Sequence, residues 1–261
     1  MRWTRERNVV ERTEPRRFML LTGAAGRIGS SFFEAAKDRY RFRLADRETA
    51  GLEEAAGREH ETLRLDVADL EACQAACRGV ETVIHLAADP SPEADFYGSL
   101  LDNNIKGTYN VFRAAKDQGC RRVIFASSIH AVVGYPQDMQ TRPETPVRPA
   151  NMYGVSKCFG EAVAACFATD GLSAIAIRIG AYEPDQLRQE PTTGLMMAYV
   201  SRRDMNHLLE RCVETANISF AIVHGESNNR FKRMDLTATR ELLGYEPEDD
   251  AFALFGDNER G

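Results

Sequence analysis

Short runs of apolar, often β-branched residues alternate along the chain with longer stretches whose apolar positions recur at helical spacing. Such alternation is typical of a parallel sheet covered by helices on both faces. It therefore predicts an α/β fold built on a doubly wound parallel sheet. The predicted strands before residue 180 are Phe18–Thr22, Arg41–Ala45, Thr62–Leu65, Val83–Leu86, Arg122–Ala126 and Ala174–Ile179.

Helical spacing predicts a helix after the first strand that reaches about Asp38, and two longer helices over Tyr97–Gln118 and Met152–Thr169. After Gly180 the alternation loosens. The predicted elements there are a helix capped by Ser201, a strand at about Phe220–Val223 and a helix near Leu236–Leu243.

These patterns divide the chain into three predicted parts. Residues 1–16 are charged and polar and are expected to form an extension. Residues 17–180 are expected to form a nucleotide-binding domain of the Rossmann type, because ligands bind at the carboxyl ends of the strands in such sheets. Residues 181–261 are predicted to form a small lobe on the substrate side that does not fold independently.

Composition narrows the possible partners. The residues are 43% hydrophobic and 28% charged, which suits a globular protein with a sizeable core. A net charge of -6 favours neither nucleic acid nor an anionic membrane as partner. The apolar run Phe18–Leu21 is too short for a signal peptide or a membrane span. Six scattered cysteines without a CxxC pair predict neither a metal site nor disulfides, and so a cytoplasmic setting.

A glycine-rich segment, TGAAGRIG, follows the first predicted strand and opens a helix at Thr22–Gly29. Gly23, Gly26 and Gly29 permit a tight turn and a close approach of the backbone to a phosphate. The free N–H groups of a helix N-terminus then favour a pyrophosphate. Three glycines also suit a plain turn, so the segment indicates nucleotide binding only in combination with an acidic residue at the end of the second strand.

Asp46 ends the second predicted strand, about twenty residues after the glycines. A carboxylate there accepts hydrogen bonds from the adenosine ribose and repels a 2′-phosphate, which favours NAD over NADP. Arg47 is adjacent and suits a phosphate, so the preference for NAD is not strict. The alternative for Asp46 is a solvated charge at the end of a strand.

Tyr153 and Lys157 lie four residues apart on a predicted helix, so both side chains project from one face. A free phenol has a pKa near 10 and is a poor base at neutral pH. A nearby ammonium group and a positively charged nicotinamide are expected to lower that pKa toward the working range. A lone YxxxK pattern also arises by chance on many helices, so the pair depends on the other motifs.

Together these motifs resemble the extended short-chain dehydrogenase/reductase family, which comprises the NAD-dependent epimerases and dehydratases. The resemblance implies that Tyr153 is the catalytic base, that Lys157 assists it and holds the nicotinamide ribose, and that Ser128 orients the substrate oxygen. Ser127 is the alternative to Ser128. The matching segments are GAAGRIG (23–29), Asp46, LDV (65–67), HLAA (85–88), NIKGT (104–108), Ser127-Ser128 and YGVSK (153–157).

The same resemblance implies the residues that hold NAD. Asn104 matches a residue that shapes the active-site helix in the family; its alternative is a local backbone bond. The implied cofactor-binding residues are Gly23, Ala25, Gly26, Arg27, Ile28, Gly29, Asp46, Asp66, Val67, Leu86, Ala87, Ala88, Asn104, Tyr153, Lys157 and Ile179.

Within the family, the segments FASSIHAVVGYP, YGVSKCFGE and RIG are similar to those of uronate dehydrogenases. That branch oxidises C1 of a hexuronate to a lactone with NAD. The chain departs from it at Ile129 and Ala181, where polar substrate contacts are expected, and its carboxylate-binding Arg aligns near Gly194. Arg188 lies in the same loop and is expected to substitute, unless it is a solvated charge. The implied substrate residues are Ser91, Ser128, Ile129, His130 and Arg188.

The leading hypothesis is therefore an NAD-dependent dehydrogenase that oxidises the C1 hydroxyl of an aldose or hexuronate to a lactone. One alternative is a nucleotide-sugar epimerase or dehydratase, against which the short stretch after Gly180 counts. The other is a non-catalytic NAD-binding regulator, and such relatives commonly lose Tyr or Lys. The resemblance also implies a homodimer or a higher homo-oligomer that pairs through the helix after the fourth strand and the Tyr153 helix.

Overall fold

The computed structural model describes residues 16–169 and 171–256. Apart from Arg16, the predicted N-terminal extension lies outside these residues. The main strands are β1 (Phe18–Thr22), β2 (Arg41–Asp46), β3 (Glu61–Arg64), β4 (Thr82–His85), β5 (Arg122–Ser128) and β6 (Ser173–Ile179); they are followed by the two-residue strands β7 (Ala181–Tyr182) and β8 (Tyr199–Val200), and by β9 (Phe220–Gly225).

Seven of these strands form one parallel sheet in the order β3-β2-β1-β4-β5-β6-β9, while β7 pairs with β8 in parallel. The predicted α/β fold with a doubly wound parallel sheet is therefore confirmed. The order reverses direction between β1 and β4. Ligands of such sheets bind at the carboxyl ends of the strands beside this reversal.

Helices cover both faces of the sheet. None of those in the described part of the chain is long and apolar enough to span a bilayer. They are α1 (Arg27–Ala36), α2 (Leu52–Ala56), α3 (Leu70–Cys77), a π-helix (Phe96–Lys106), α4 (Gly107–Asp117), a 3₁₀ turn (Ile129–Ala131), α5 (Met152–Phe167), α6 (Gln186–Gln189), α7 (Thr193–Ala198), α8 (Arg202–Glu214), α9 (Thr237–Leu243) and α10 (Ala251–Phe255).

Side-chain caps mark the starts of the helices that shape the site. The Asn151 side chain accepts a hydrogen bond of 2.7 Å from the Gly154 amide at the start of α5. Ser201 accepts one of 3.1 Å from the Asp204 amide at the start of α8, as the sequence predicts. Such caps satisfy N–H groups that have no partner within the helix, and each contributes about 0.5–2 kcal/mol.

The hydrophobic core forms two layers, because successive strand residues point to opposite faces of the sheet. On one face, Phe32 and Phe33 of α1 pack with Leu208 of α8. On the other face, Phe112 of α4 packs with Val163 of α5 and with α3. Both faces are thus sealed, and the carboxyl edge of the sheet is left for the site.

The structure differs from the predicted elements in two places that matter for function. Strand β5 runs two residues beyond Ala126 and ends at Ser128, where it still pairs with Ile179 of β6. Strand β9 follows the predicted division at residue 180, yet it pairs with β6 from Ala174 to Ile179 and completes the main sheet. The division of the chain into domains at that residue stays a prediction.

Candidate active site

A cavity of about 1010 Å³ opens at the carboxyl edge of the sheet and runs from the glycine-rich loop to Arg233. Its volume lies at the upper end of the ~300–1,000 Å³ usual for ligand pockets, so it has room for more than a sugar. The predicted residues that line it are Gly23, Ala25, Gly26, Arg27, Ile28, Gly29, Asp46, Val67, Leu86, Ala87, Ala88, Ser128, Ile129, His130, Tyr153, Lys157 and Ile179.

Four other predicted site residues do not line the cavity: Asp66, Ser91, Asn104 and Arg188. Asp66 is exposed, and its carboxylate accepts a hydrogen bond from a backbone amide in its own turn. Ser91 likewise accepts one within its own loop. The Arg188 side chain is 72% exposed and lies 3.9 Å from Glu183. These side chains make local contacts in their own loops, which a sequence alignment does not reveal.

Asn104 shapes the site from behind. Its side chain accepts a hydrogen bond of 2.8 Å from the Asp89 amide and donates to the Asp89 carbonyl and the Ser156 hydroxyl at 3.1 and 3.0 Å. Ser156 in turn donates to the Tyr153 carbonyl at 2.7 Å. Asn104 is only 2% exposed. It therefore links the loop after β4 to helix α5, and through Ser156 it helps to orient the part of the helix that carries Tyr153.

The glycine-rich loop is packed too closely for side chains. Gly23 has φ +72°, and a Cβ on it would lie 2.7 Å from the Ala87 amide nitrogen. A Cβ on Gly29 would lie 2.2 Å from the Gly23 carbonyl oxygen. Gly26 caps α1 without a side-chain hydrogen bond. The N-terminus of α1 is thus presented bare to the cavity, which suits the diphosphate of a dinucleotide.

Replacing Gly29 by Ala is expected to destabilise the protein by about 1–3 kcal/mol, because the added Cβ forces the loop apart. A matched control is Gly194→Ala in helix α7, where a Cβ would meet no atom within 4 Å. Alanine favours helices over glycine, so this control is expected to gain up to about 1 kcal/mol. Urea unfolding measures the change in the free energy of unfolding of both variants, which should have opposite signs. Equal changes in the two variants would contradict the packing argument.

Asp46 lies at the end of the cavity beside the glycine-rich loop. Its carboxylate accepts a hydrogen bond of 3.0 Å from the Ala25 amide, and it lines the wall together with Arg47. The carboxylate thus braces the loop and still faces the cavity. That position suits the hydroxyls of an adenosine ribose.

Strand β5 and helix α5 bring the proposed catalytic residues together. Ser128, Tyr153 and Lys157 are 6%, 9% and 4% exposed, and all three line the cavity. The Lys157 ammonium lies 5.4 Å from the centre of the Tyr153 ring and donates a hydrogen bond of 2.9 Å to the Ala126 carbonyl. Ser128 at the end of the strand thus meets Tyr153 and Lys157, which lie on one face of the helix.

Electrostatics at this point are dominated by burial. Burial lowers the pKa of Lys157 to about 8 and raises the pKa of Tyr153. A hydrogen bond with Ser128 opposes the rise at Tyr153, and the charge of Asp89 adds to it. The sequence predicts that a nearby ammonium group and a charged nicotinamide together lower this tyrosine pKa. In the chain without NAD, burial of the phenol sets the direction instead.

The buried Lys157 is expected to make the protein's stability depend on pH. Its pKa is about 8 in the folded protein and near 10.5 in the unfolded chain. Between these values the unfolded chain binds more protons, so stability rises with pH, whereas below pH 8 the folded protein bears the full cost. Lys157→Met removes this cost.

We therefore expect the stability of Lys157→Met relative to the wild type to fall by about 2–3 kcal/mol between pH 7 and pH 10. Urea unfolding at both pH values, without cofactor, measures it. The exposed Lys106→Met variant is the control and should show no comparable change. If the stability difference between Lys157→Met and the wild type does not vary with pH, burial does not lower the pKa of Lys157.

Two further residues adjoin the catalytic group. The centre of the His130 ring lies 5.4 Å from that of the Tyr153 ring, and its Nδ1 lies 3.0 Å from the side-chain nitrogen of Asn151. Burial lowers the pKa of His130. His130 therefore favours the neutral form. Ser127, the alternative to Ser128, donates a hydrogen bond of 2.6 Å to the buried Glu161. Its hydroxyl is thus engaged away from Tyr153, which favours Ser128.

Sequence reasoning missed one end of the cavity. Gln137, Thr192, Met197 and Arg233 also line the wall. They come from segments that meet only in the fold: the turn at Gln137, helix α7 with its N-cap Thr192, and the segment between β9 and α9. The Arg233 amide donates to the Met197 carbonyl, and the Arg233 carbonyl accepts from the Thr141 amide. The basic run Arg230–Arg233 was the only signal in the sequence, and a run of that kind is common on surfaces.

The fold and the cavity lining define an α/β enzyme that holds a dinucleotide beside a buried Tyr, Lys and Ser. Residues 19–230 match the NAD dependent epimerase/dehydratase family. The chain belongs to this family, and NAD is its cofactor.

Several characterised relatives are similar over nearly the whole chain. The NAD-dependent glucose-6-phosphate dehydrogenase of Haloferax volcanii is 39% identical over 89% of this chain and 94% of its own length. The uronate dehydrogenase of Pseudomonas putida is 35% identical over 92% of this chain and 87% of its own. The crystal structure of uronate dehydrogenase from Agrobacterium tumefaciens superposes with a TM-score of 0.81 at 33% identity, over 91% of this chain and 86% of that one.

Proposed function

We propose that this chain is an NAD-dependent sugar dehydrogenase that oxidises the C1 hydroxyl of an aldose, a hexuronate or a sugar phosphate to a lactone. The observation that carries the proposal is the meeting of Ser128, Tyr153 and Lys157 in the cavity whose other end is the glycine-rich loop and Asp46. Relatives whose names give glucose 6-phosphate, uronate and L-arabinose as substrates, two of them with a nicotinamide cofactor, support the reaction class.

The cavity fits NAD at the end that holds the glycine-rich loop. The bare N-terminus of α1 would hold the diphosphate, and Asp46 would hold the adenosine ribose. Val67 and Ala87 would border the adenine side, and Ile179 the nicotinamide side. When bound, NAD accepts the hydride released from the sugar carbon, and its positively charged ring favours the phenolate of Tyr153.

The chain's own residues then carry the proton chemistry. Tyr153 takes the proton from the sugar hydroxyl at its phenolic oxygen, acting as the general base. Lys157, held by the Ala126 carbonyl, favours the phenolate by its charge, provided that it is protonated. Ser128 donates a hydrogen bond to the substrate oxygen as that oxygen becomes a carbonyl. Thr192, Gly194 and Arg233, which all follow β6 in the chain, would form the wall beside the sugar.

The test is NADH formation, followed by absorbance, with purified protein, NAD and a panel of sugars. The panel contains glucuronate, galacturonate, glucose, galactose, arabinose and glucose 6-phosphate. We expect net NADH from at least one of them. Measured NAD binding without NADH from any sugar would count against this function. Interconversion of a nucleotide sugar without net NADH would instead favour an epimerase or dehydratase, in which NAD is recycled.

A further inference from the structure

Arg233 lies at the end of the cavity opposite to Asp46, in the segment between β9 and α9. It lines the cavity and is only 7% exposed. Of the other basic residues in the wall, Lys157 and His130 lie beside Tyr153, and Arg47 follows Asp46. The Arg27 guanidinium extends from the glycine-rich loop to the Tyr182 ring and the Glu183 carbonyl. Arg233 is the charged lining residue that the segment between β9 and α9 contributes.

The backbone of Arg233 is held from two sides. Its amide donates to the Met197 carbonyl at 3.2 Å, and its carbonyl accepts from the Thr141 amide at 3.1 Å. The next residue, Met234, forms a parallel bridge with Thr141. Met197 itself lines the cavity, so the Arg233 backbone is fixed at one point of the wall.

The guanidinium group keeps donors free for a ligand. It donates to the Tyr135 carbonyl at 2.9 Å and to the Met139 carbonyl. A guanidinium carries five N–H groups in a planar fork, so these two bonds leave three. The carbonyls orient the group without neutralising its charge.

The positive charge of Arg233 also has no close carboxylate beside it in the described part of the chain. Within residues 16–169 and 171–256, no ion pair joins Arg233 to a carboxylate, although the charges of Glu226 and Asp138 are felt at longer range. Burial raises the pKa of Glu226 well above its ordinary value, which favours its neutral form. A buried cation without a counter-charge is costly, and such a group facing a cavity suits an anionic ligand.

We propose that Arg233 binds the anionic group of the substrate, and hence that the substrate is a sugar bearing a carboxylate or a phosphate away from the reacting carbon. The inference rests on the proposed dehydrogenase function and narrows its substrate class. It also replaces Arg188 in this role, since that side chain is exposed and outside the cavity wall. The planar fork of arginine matches both kinds of anion, so the two sources are separated by experiment.

The experiment compares kcat/KM for glucuronate, glucose 6-phosphate and glucose in the wild type and in Arg233→Gln. Glutamine retains a neutral donor for the Tyr135 and Met139 carbonyls but removes the charge. We expect the wild type to prefer one of the two anionic sugars over glucose. Arg233→Gln should lower the ratio of kcat/KM for that sugar to kcat/KM for glucose by about 10- to 100-fold.

Two other variants locate the effect. Arg230→Gln removes the same charge from the same segment at an exposed position and should leave the preference intact. Arg188→Gln tests the competing arginine. Three results would each overturn the inference. One is a selective loss of kcat/KM for the anionic sugar in Arg188→Gln. The others are an equal loss of kcat/KM for charged and neutral sugars in Arg233→Gln, and a wild-type preference for glucose. The sugar whose rate falls selectively identifies the anion as carboxylate or phosphate.

Binding gives a readout that does not need turnover. With NADH bound, glucuronate or glucose 6-phosphate cannot be oxidised, and the favoured one should raise the Tm of the wild type but not of Arg233→Gln. Such a shift without any NADH formation in the forward assay would reject the dehydrogenase function and keep the anion site. If Arg233→Gln fails to fold by circular dichroism, Arg233→Lys decides: it should retain part of the preference for the anion, and complete loss with normal glucose kinetics would contradict recognition of charge.

Discussion

Replacing Tyr153 by Phe is expected to lower kcat for sugar oxidation by about 10²- to 10⁴-fold, the usual contribution of a positioned general base. The substitution removes one oxygen and retains the ring, which is 9% exposed and packs 5.4 Å from the His130 ring. The variant should therefore fold normally. KM for the sugar and the Kd for NAD should change far less than kcat, because Tyr153 acts mainly on the proton in transit.

The matched control is Tyr109→Phe on α4, the same chemical change on a tyrosine that is 43% exposed. It should leave kcat unchanged. Steady-state NADH formation, with the Kd for NAD from titration, separates catalysis from binding. Retention of most of the activity in Tyr153→Phe would show that another group takes the proton, and His130 would be the first alternative because of its place beside Tyr153.

Replacing Arg178 by Met is expected to destabilise the protein by about 3–5 kcal/mol, although it removes no residue that touches substrate. Arg178 is 1% exposed and donates to both oxygens of Glu161 at 2.8 and 2.9 Å. Ser127 donates to the same carboxylate at 2.6 Å. The variant would leave a buried carboxylate without its counter-charge between β5, β6 and α5, directly behind Ser128.

Urea unfolding measures this loss of stability, and two further variants show whether the unpaired buried charge causes it. Arg113→Met breaks an exposed ion pair with Asp117 and should cost less than about 1 kcal/mol. The double variant Arg178→Met with Glu161→Leu removes both charges and should recover much of the stability. A double variant no more stable than Arg178→Met alone would show that the loss came from packing rather than from the unpaired charge.

The parts of the site that could be predicted from sequence are those in which local spacing and chemistry coincide. Gly23 and Gly29 are needed wherever a strand turns tightly into a helix beneath a phosphate, and the structure shows that neither position has room for a Cβ. Tyr153 and Lys157 share a helix face because four residues make about one turn. The strands are recognisable because short apolar runs alternate along the chain with stretches of helical spacing.

Other features depended on how distant segments meet. The C-terminal strand β9 was expected in a small lobe, but it completes the main sheet against β6, since pairing partners are chosen by the whole fold. The direction of the Tyr153 pKa likewise depended on burial, which raises it in the chain without NAD. Neither property can be read from the spacing of residues.

By itself, the sequence predicted the doubly wound sheet, the glycine-rich segment with Asp46, and the Tyr153 and Lys157 pair, because these depend on periodicity or on the spacing of short motifs. Only the tertiary structure decided which arginine lines the cavity. The sequence favoured Arg188, yet its side chain is 72% exposed, whereas Arg233 is buried in the cavity wall. The physical reason is that loop side chains take their positions from long-range contacts, here those of Arg233 with Met197 and Thr141, which no local pattern encodes.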